Sequence, residues 1–166
     1  MKTINYLLVV LVFALFSCNT EGKKEEATSK EELAVVEETS KEVEKTIFEK
    51  LGGDEGVSAI VEDIIAKHLE NDKIKHYFIA LQKDPEYFEK FKQHVKDFLE
   101  TGTGGEQKYS GRDMVAAHSG LNISESDFLE AIDDILFVLD SHKVDRTSRN
   151  ELLATLYSMK DAVMKK

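Results

Sequence analysis

The stretch His94–Ser124, HVKDFLETGTGGEQKYSGRDMVAAHSGLNIS, decides how this chain is read. Its first residues continue an apolar series, Phe88, Phe91, Val95, Phe98 and Leu99, whose three- and four-residue spacing predicts the inner face of a helix. The glycine-rich TGTGG at 101–105 stops that helix, and a shorter one runs into His118, closed by Gly120. Met114 and His118 are four residues apart, so a thioether and an imidazole share one face. His94 lies three residues after Phe91 and four before Phe98, near the buried face of its own helix. Two inward histidines on separate helices, among phenylalanines and a methionine, suit a flat apolar ligand carrying a metal, such as haem. A buried histidine is more often structural than a ligand, and spacing alone leaves both readings open.

The neighbouring segments extend the helical pattern. Upstream, IFEKLGGDEG at 47–56 predicts a short helix stopped by Gly52-Gly53, with Asp54 as N-cap of the next. That helix carries Val57, Ile60, Val61, Ile64, Ile65 and Leu69 and ends near Asn71-Asp72, before an apolar corner of Ile74, Tyr77 and Phe78. Asp84 can cap the third helix, with Pro85 at its first position, where a missing N–H costs nothing. Downstream, Ser124 with Asp127 forms an acidic variant of the capping box and opens a helix through Phe128, Ile132, Ile135, Leu136 and Leu139. A last helix shows Leu152, Leu156, Met159 and Val163 on one side. With one proline, nine glycines, no tryptophan and no alternating strand pattern, the chain is expected to be all-α, with six helices.

The N-terminal part has a different composition. Residues 1–22 read as a bacterial export signal: Lys2 is the basic start and Leu7 to Phe16 an apolar run too short to span a bilayer comfortably. Leu15-Phe16-Ser17-Cys18 resembles a bacterial lipobox, so residues 1–17 are expected to be a lipoprotein signal peptide and Cys18 the lipidated new N-terminus. Acyl chains contribute about 0.8 kcal/mol per buried CH₂, enough for stable anchoring in a lipid bilayer when several are attached. Residues 18–46 then form a charged tether, and the folded domain is 47–166. The expected location is the bacterial cell envelope, lipid-anchored and facing the periplasm or exterior.

Other chemistries are removed by what the residues lack. A net charge of −10 without a basic stripe argues against nucleic acid. Cys18 is the one cysteine, so cysteine zinc sites and thiol nucleophiles are excluded from the folded part. There is no H-E-x-x-H, no G-x-S-x-G and no P-loop, since GTGG is not followed by Lys-Ser/Thr. His76 and His142 read as surface groups beside turns, and His68 as a satisfied histidine at the edge of an apolar stripe.

From about Ile47 to Val163 the chain resembles the group I truncated haemoglobins of bacteria, protists and algae. The resemblance is carried by IFEKLGGDEGVSAIVEDI, by IKHYF at the corner, and by the ordered string Tyr-x-Gly-Arg-x-Met, Ala-His-x-Gly-Leu and Ile within 109–123. It implies a globin shortened to two helices packed over two, holding a non-covalent b-type haem; Cys-x-x-Cys-His, the covalent attachment motif, is absent. By position it implies His118 as the proximal axial ligand, with its other ring nitrogen donating to a backbone carbonyl. It places Phe78, Phe91, Val95, Phe98, Leu99, Met114, Ile123 and Phe128 around the haem. Arg112 and Lys92 are candidates for the propionates or, equally, solvated surface charges. His94 matches a position where some cyanobacterial members bind iron as a sixth ligand, so bis-histidine iron at rest is one expectation and a propionate or solvent contact the other.

The departures from the family matter for function. The family's tyrosine on the second helix, which holds bound oxygen, is Ile65 here, and its glutamines on the third helix are Phe91 and Val95. A buried hydrogen bond of about 1 kcal/mol is thereby lost. The expected function is reversible binding of a small diatomic ligand, O₂ or NO, or electron transfer. Nitric oxide dioxygenase-type or peroxidase-type chemistry would need an external reductase, since no flavin or nicotinamide motif is present. The competing readings are a haem-free interaction lipoprotein that keeps the globin fold, and an envelope haem carrier.

Overall fold

The computed structural model describes residues 44–164; the signal, Cys18 and most of the tether lie outside them. These residues fold into eight α-helices and one 3₁₀ turn, with no strand among them. In order they are α1 (Ile47–Lys50), α2 (Gly53–Glu70), α3 (His76–Ile79), the turn Leu81–Lys83, α4 (Pro85–Thr103), α5 (Met114–His118), α6 (Glu125–Ser141), α7 (Arg146–Ser158) and α8 (Lys160–Val163). The two extra helices have local causes. The Ile74–Phe78 corner winds into the single turn α3, and the last helix is interrupted at Met159, which caps α7 and precedes α8.

Capping explains most boundaries. Thr46 and Glu49 form a reciprocal capping box that starts α1. Asp84 accepts from the Tyr87 N–H at 3.1 Å with Pro85 at the first helical position, as expected. Ser124 and Asp127 make the expected reciprocal box at α6. Asp54 does not cap α2. Gly52, at φ 97°, takes the N-cap position and Gly53 begins the helix, because both glycines adopt positive φ to carry the chain round. Asp54 instead reaches across to Lys96 Nζ on α4, 2.8 Å away.

Helix α2 is the centre of the packing, lying against α4 on one side and α6 on the other, while α7 covers α6. Val57, Ile60, Val61, Ile64 and Ile65 of its stripe are buried with Leu51, Leu99, Val138, Leu139 and Leu152. A second cluster forms from Ile123, Phe128 and Ile132, with Tyr77, Leu136 and Leu156 packed on it. Fully burying side chains of this size contributes about 1.5–3 kcal/mol each, so these two clusters dominate stability over any single hydrogen bond. Both clusters contribute side chains to the wall of one cavity.

Candidate functional site

The cavity encloses about 730 Å³ and is walled mainly by apolar side chains. That volume is in the range of small-molecule and cofactor sites. Helix α2 contributes Val61, Ile64, Ile65 and His68; α4 contributes Lys90, Phe91, His94, Val95, Phe98 and Leu99; α5 contributes Met114, Ala117 and His118. Phe78 at the corner, Ile123, Phe128 and Ile132, and Leu156 and Val163 of the last two helices are also on the wall. The structure therefore brings onto one cavity the residues expected around the haem, Phe78, Phe91, Val95, Phe98, Leu99, Met114, His118, Ile123 and Phe128, together with His94.

His118 is the last residue of α5, a helix of five residues set by its N-cap: the Asp113 carboxylate accepts from the Ala116 N–H at 2.9 Å. His118 Nδ1 lies 2.8 Å from the carbonyl oxygen of Met114. A carbonyl only accepts, so Nδ1 carries the hydrogen and Nε2 keeps its lone pair. Gly120, at φ 80°, and Asn122, at φ 55°, turn the chain away immediately beyond. The loop feeding α5 is tied to α4 through Tyr109, whose N–H donates to Thr101 Oγ1 at 2.8 Å and whose hydroxyl donates to the Arg112 carbonyl at 2.6 Å.

His94 borders the cavity from α4 but is more exposed than its stripe position suggested, and it meets Tyr109 edge-on with ring centroids 6.3 Å apart. Arg112 is on the cavity wall; Lys92 is not. Lys92 Nζ is held by Glu62 and Glu89, at 2.9 and 2.8 Å, on a face of α4 turned from the cavity. The cation that α4 does supply is Lys90, two residues earlier, paired to Glu86 at 2.7 Å. A shift of two residues carries a helical side chain about 200° round, to the opposite side, which is why the two lysines part company.

Two polar features of the wall were not legible as pairs. Tyr77 on α3 donates to Asp127 Oδ2 at 3.0 Å, and the Ser124 bonds to that carboxylate hold Asp127 below the usual range. His68 on α2 is buried, as a satisfied core-edge histidine should be, but its partner is a second buried ionisable group: Nδ1 lies 3.0 Å from Oδ2 of Asp134 on α6. Burial pushes His68 below its ordinary value, and Asp134 opposes that shift. His68 also stacks on Phe78, centroids 5.0 Å apart. The stripe on α2 locates His68, but nothing local identifies a partner sixty-six residues away.

Helices packed around an apolar cavity, with His118 held through Nδ1 on its wall, are the arrangement of a shortened globin. The chain belongs to the bacterial-like globin family, whose model matches residues 46–165. It is 37% identical over 94 residues to the group 1 truncated hemoglobin of Tetrahymena thermophila, covering 57% of this chain and 74% of that one. The truncated hemoglobin of Tetrahymena pyriformis in its Fe(III) form superposes with a TM-score of 0.64 at 28% identity, covering 74% of this chain and all of that one. The 2/2 hemoglobin of a Synechococcus species, solved in the cyanomet state with covalently attached heme, gives 0.64 at 26% identity over the same share of this chain. Membership in the globin family implies haem binding.

Proposed function

We propose that this chain is a membrane-tethered haem protein that reversibly binds a small diatomic ligand, O₂ or NO, at a histidine-ligated b-type haem. The observation that carries the reading is the His118–Met114 bond, which leaves an imidazole Nε2 with a free lone pair on an apolar cavity. The donor set fits the group: one neutral imidazole for iron, aromatic and aliphatic walls for a porphyrin, and Lys90 and Arg112 for its carboxylates. When bound, haem supplies a redox-active iron with a position open to small ligands.

The chain's own residues do the rest. His118 would hold and orient the iron through Nε2, its tautomer fixed by the Met114 carbonyl. Phe78, Phe91, Val95, Phe98 and Leu99 exclude water from the cavity. Ile65, buried where the family has its tyrosine, offers no hydrogen bond to a bound ligand, which favours rapid exchange over tight storage. His94, on the same cavity, is the candidate sixth ligand at rest, which would make the protein redox-active with an external electron donor. Lipidated Cys18 would anchor the domain in the bacterial envelope; no described helix is long and apolar enough to cross a membrane.

Absorption spectra of the purified domain titrated with haem test the reading. A Soret band that saturates at one haem per chain, and a haem affinity that falls at least tenfold in His118→Ala, are the expected results. No Soret band leaves the haem-free interaction protein in its place. Rapid haem loss to a scavenger protein would instead mark a carrier. The tether is tested separately by metabolic labelling with a fatty acid, which Cys18→Ser should abolish.

A further inference from the structure

We infer that His68, backed by Asp134, is the proton acceptor of the cavity: Nε2 takes the proton of a weakly acidic small molecule, H–X, held there. The inference deepens the haem-cavity reading and rests on it for its ligand, but its geometry stands on residues of α2 and α6.

His68 and Asp134 are both buried, at 6% and 7% exposure, with Nδ1 and Oδ2 3.0 Å apart. An ionised carboxylate only accepts hydrogen bonds, so Nδ1 carries the hydrogen and Nε2 of the neutral ring is an acceptor. Nε2 has no hydrogen-bond partner among the described residues, yet it is not among the sealed, unsatisfied atoms, and the ring is on the cavity wall. It therefore opens to the cavity.

The pair is also held rigidly. Asn71 Nδ2 donates to the same Asp134 oxygen at 3.0 Å, and the Phe78 ring stacks on the imidazole. Asp134 is the charged group that acts on His68; Glu130, one turn earlier on α6, is taken up by Lys73. The rest of the α2 wall is Val61, Ile64 and Ile65, so His68 is the one polar side chain this helix presents to the cavity.

The direction of the hydrogen bond sets the class of ligand. An acceptor nitrogen gives a bound O₂ or NO no hydrogen bond, but it welcomes the hydrogen of hydrogen cyanide, hydrogen sulfide or a hydroperoxide. In the step, the H–X bond breaks, its electron pair stays on X, and the proton goes to Nε2. The Asp134 carboxylate stabilises the imidazolium that results, as a carboxylate does for a general-base histidine. When X leaves, it takes the proton back, and nothing is oxidised or reduced.

Hydrogen cyanide is the probe. Its association with the ferric, haem-loaded protein is followed in a His94→Ala background, so that departure of His94 does not limit the rate. The second-order rate constant is expected to fall about a hundredfold when His68→Leu and Asp134→Leu are introduced together, a change that leaves no orphaned buried charge. Asp134→Asn, whose amide can donate to Nδ1 and move the hydrogen to Nε2, should slow it as well. Rates within twofold of the parent overturn the proposal.

Nitrogen-15 NMR of the imidazole gives an independent readout, with or without haem. The Nδ1–H tautomer of His68 is the expected result, and the Nε2–H tautomer overturns it. A chain that shows no Soret band defeats the haem reading instead, and the tautomer then decides the role of His68 by itself.

Discussion

His118 Nδ1 donates to the carbonyl oxygen of Met114, 2.8 Å away and one helical turn earlier. This bond spends the nitrogen that faces the helix and reserves the other for the cavity, so α5 both carries and aims the imidazole. Across the cavity, His94 has no comparable restraint: its described contact is the edge of Tyr109. One histidine is preorganised and the other is free to approach or withdraw.

That asymmetry predicts a spectroscopic change. In the haem-loaded protein without added gas, His94→Ala is expected to convert a six-coordinate low-spin spectrum to a high-spin one while the Soret band persists. An unchanged spectrum would place His94 off the iron.

The proximal helix depends on its cap. Asp113→Ala removes the bond to Ala116 N–H and should lower stability by about 1 kcal/mol. A helix of five residues cannot persist by propensity alone, so the same change should speed haem transfer to a scavenger. Thermal melts of the haem-free protein and haem-transfer kinetics of the loaded one measure the two effects.

Gly56 lies inside α2, where exchange for alanine ordinarily gains about 1 kcal/mol. Here a Cβ would sit 2.0 Å from the carbonyl oxygen of Leu51, a buried residue at the α1–α2 junction. The clash is backbone against Cβ and cannot be relieved by a rotamer. Gly56→Ala is expected to destabilise by about 3 kcal/mol, seen as a lower urea midpoint; a stabilised variant would refute the close approach.

Glu100 on α4 is buried, with Oε1 lacking a hydrogen bond and Lys96 Nζ 3.8 Å away. Burial raises its carboxyl above the ordinary value; Lys96 opposes the shift and Asp54 adds to it. The folded state thus favours the protonated acid, and stability declines as pH rises from the unfolded value of 4.5 through the folded one. Glu100→Gln removes that dependence while Lys96 keeps its bond to Asp54. The variant should melt higher than the parent at neutral pH, with the difference vanishing near about pH 4. Equal melting temperatures at neutral pH would show that Glu100 ionises in place without penalty.

Much of this protein is written in local signals. The period of Val57 through Ile65 names the buried face of α2, Asp84-Pro85 and Ser124–Asp127 name two helix starts, and Met114 and His118 name a shared face of α5. Each is an interaction between residues within four positions, so spacing alone can report it. The cap at α2 went to Gly52 and not Asp54 because that choice depends on backbone φ, and a distant lysine, Lys96, claims the aspartate.

The tertiary structure decided the rest. Lys90 and not Lys92 borders the cavity: Lys92 stands on the other side of α4, where Glu62 of α2 pairs with it. His68 meets Asp134 because α2 lies against α6. A helical period reveals which side of a helix is buried but carries no label for what it is buried against. Local spacing named six of the eight described helices, the family resemblance and the histidine to examine first; the packing of α2 between α4 and α6 set which charges and which second histidine share its cavity.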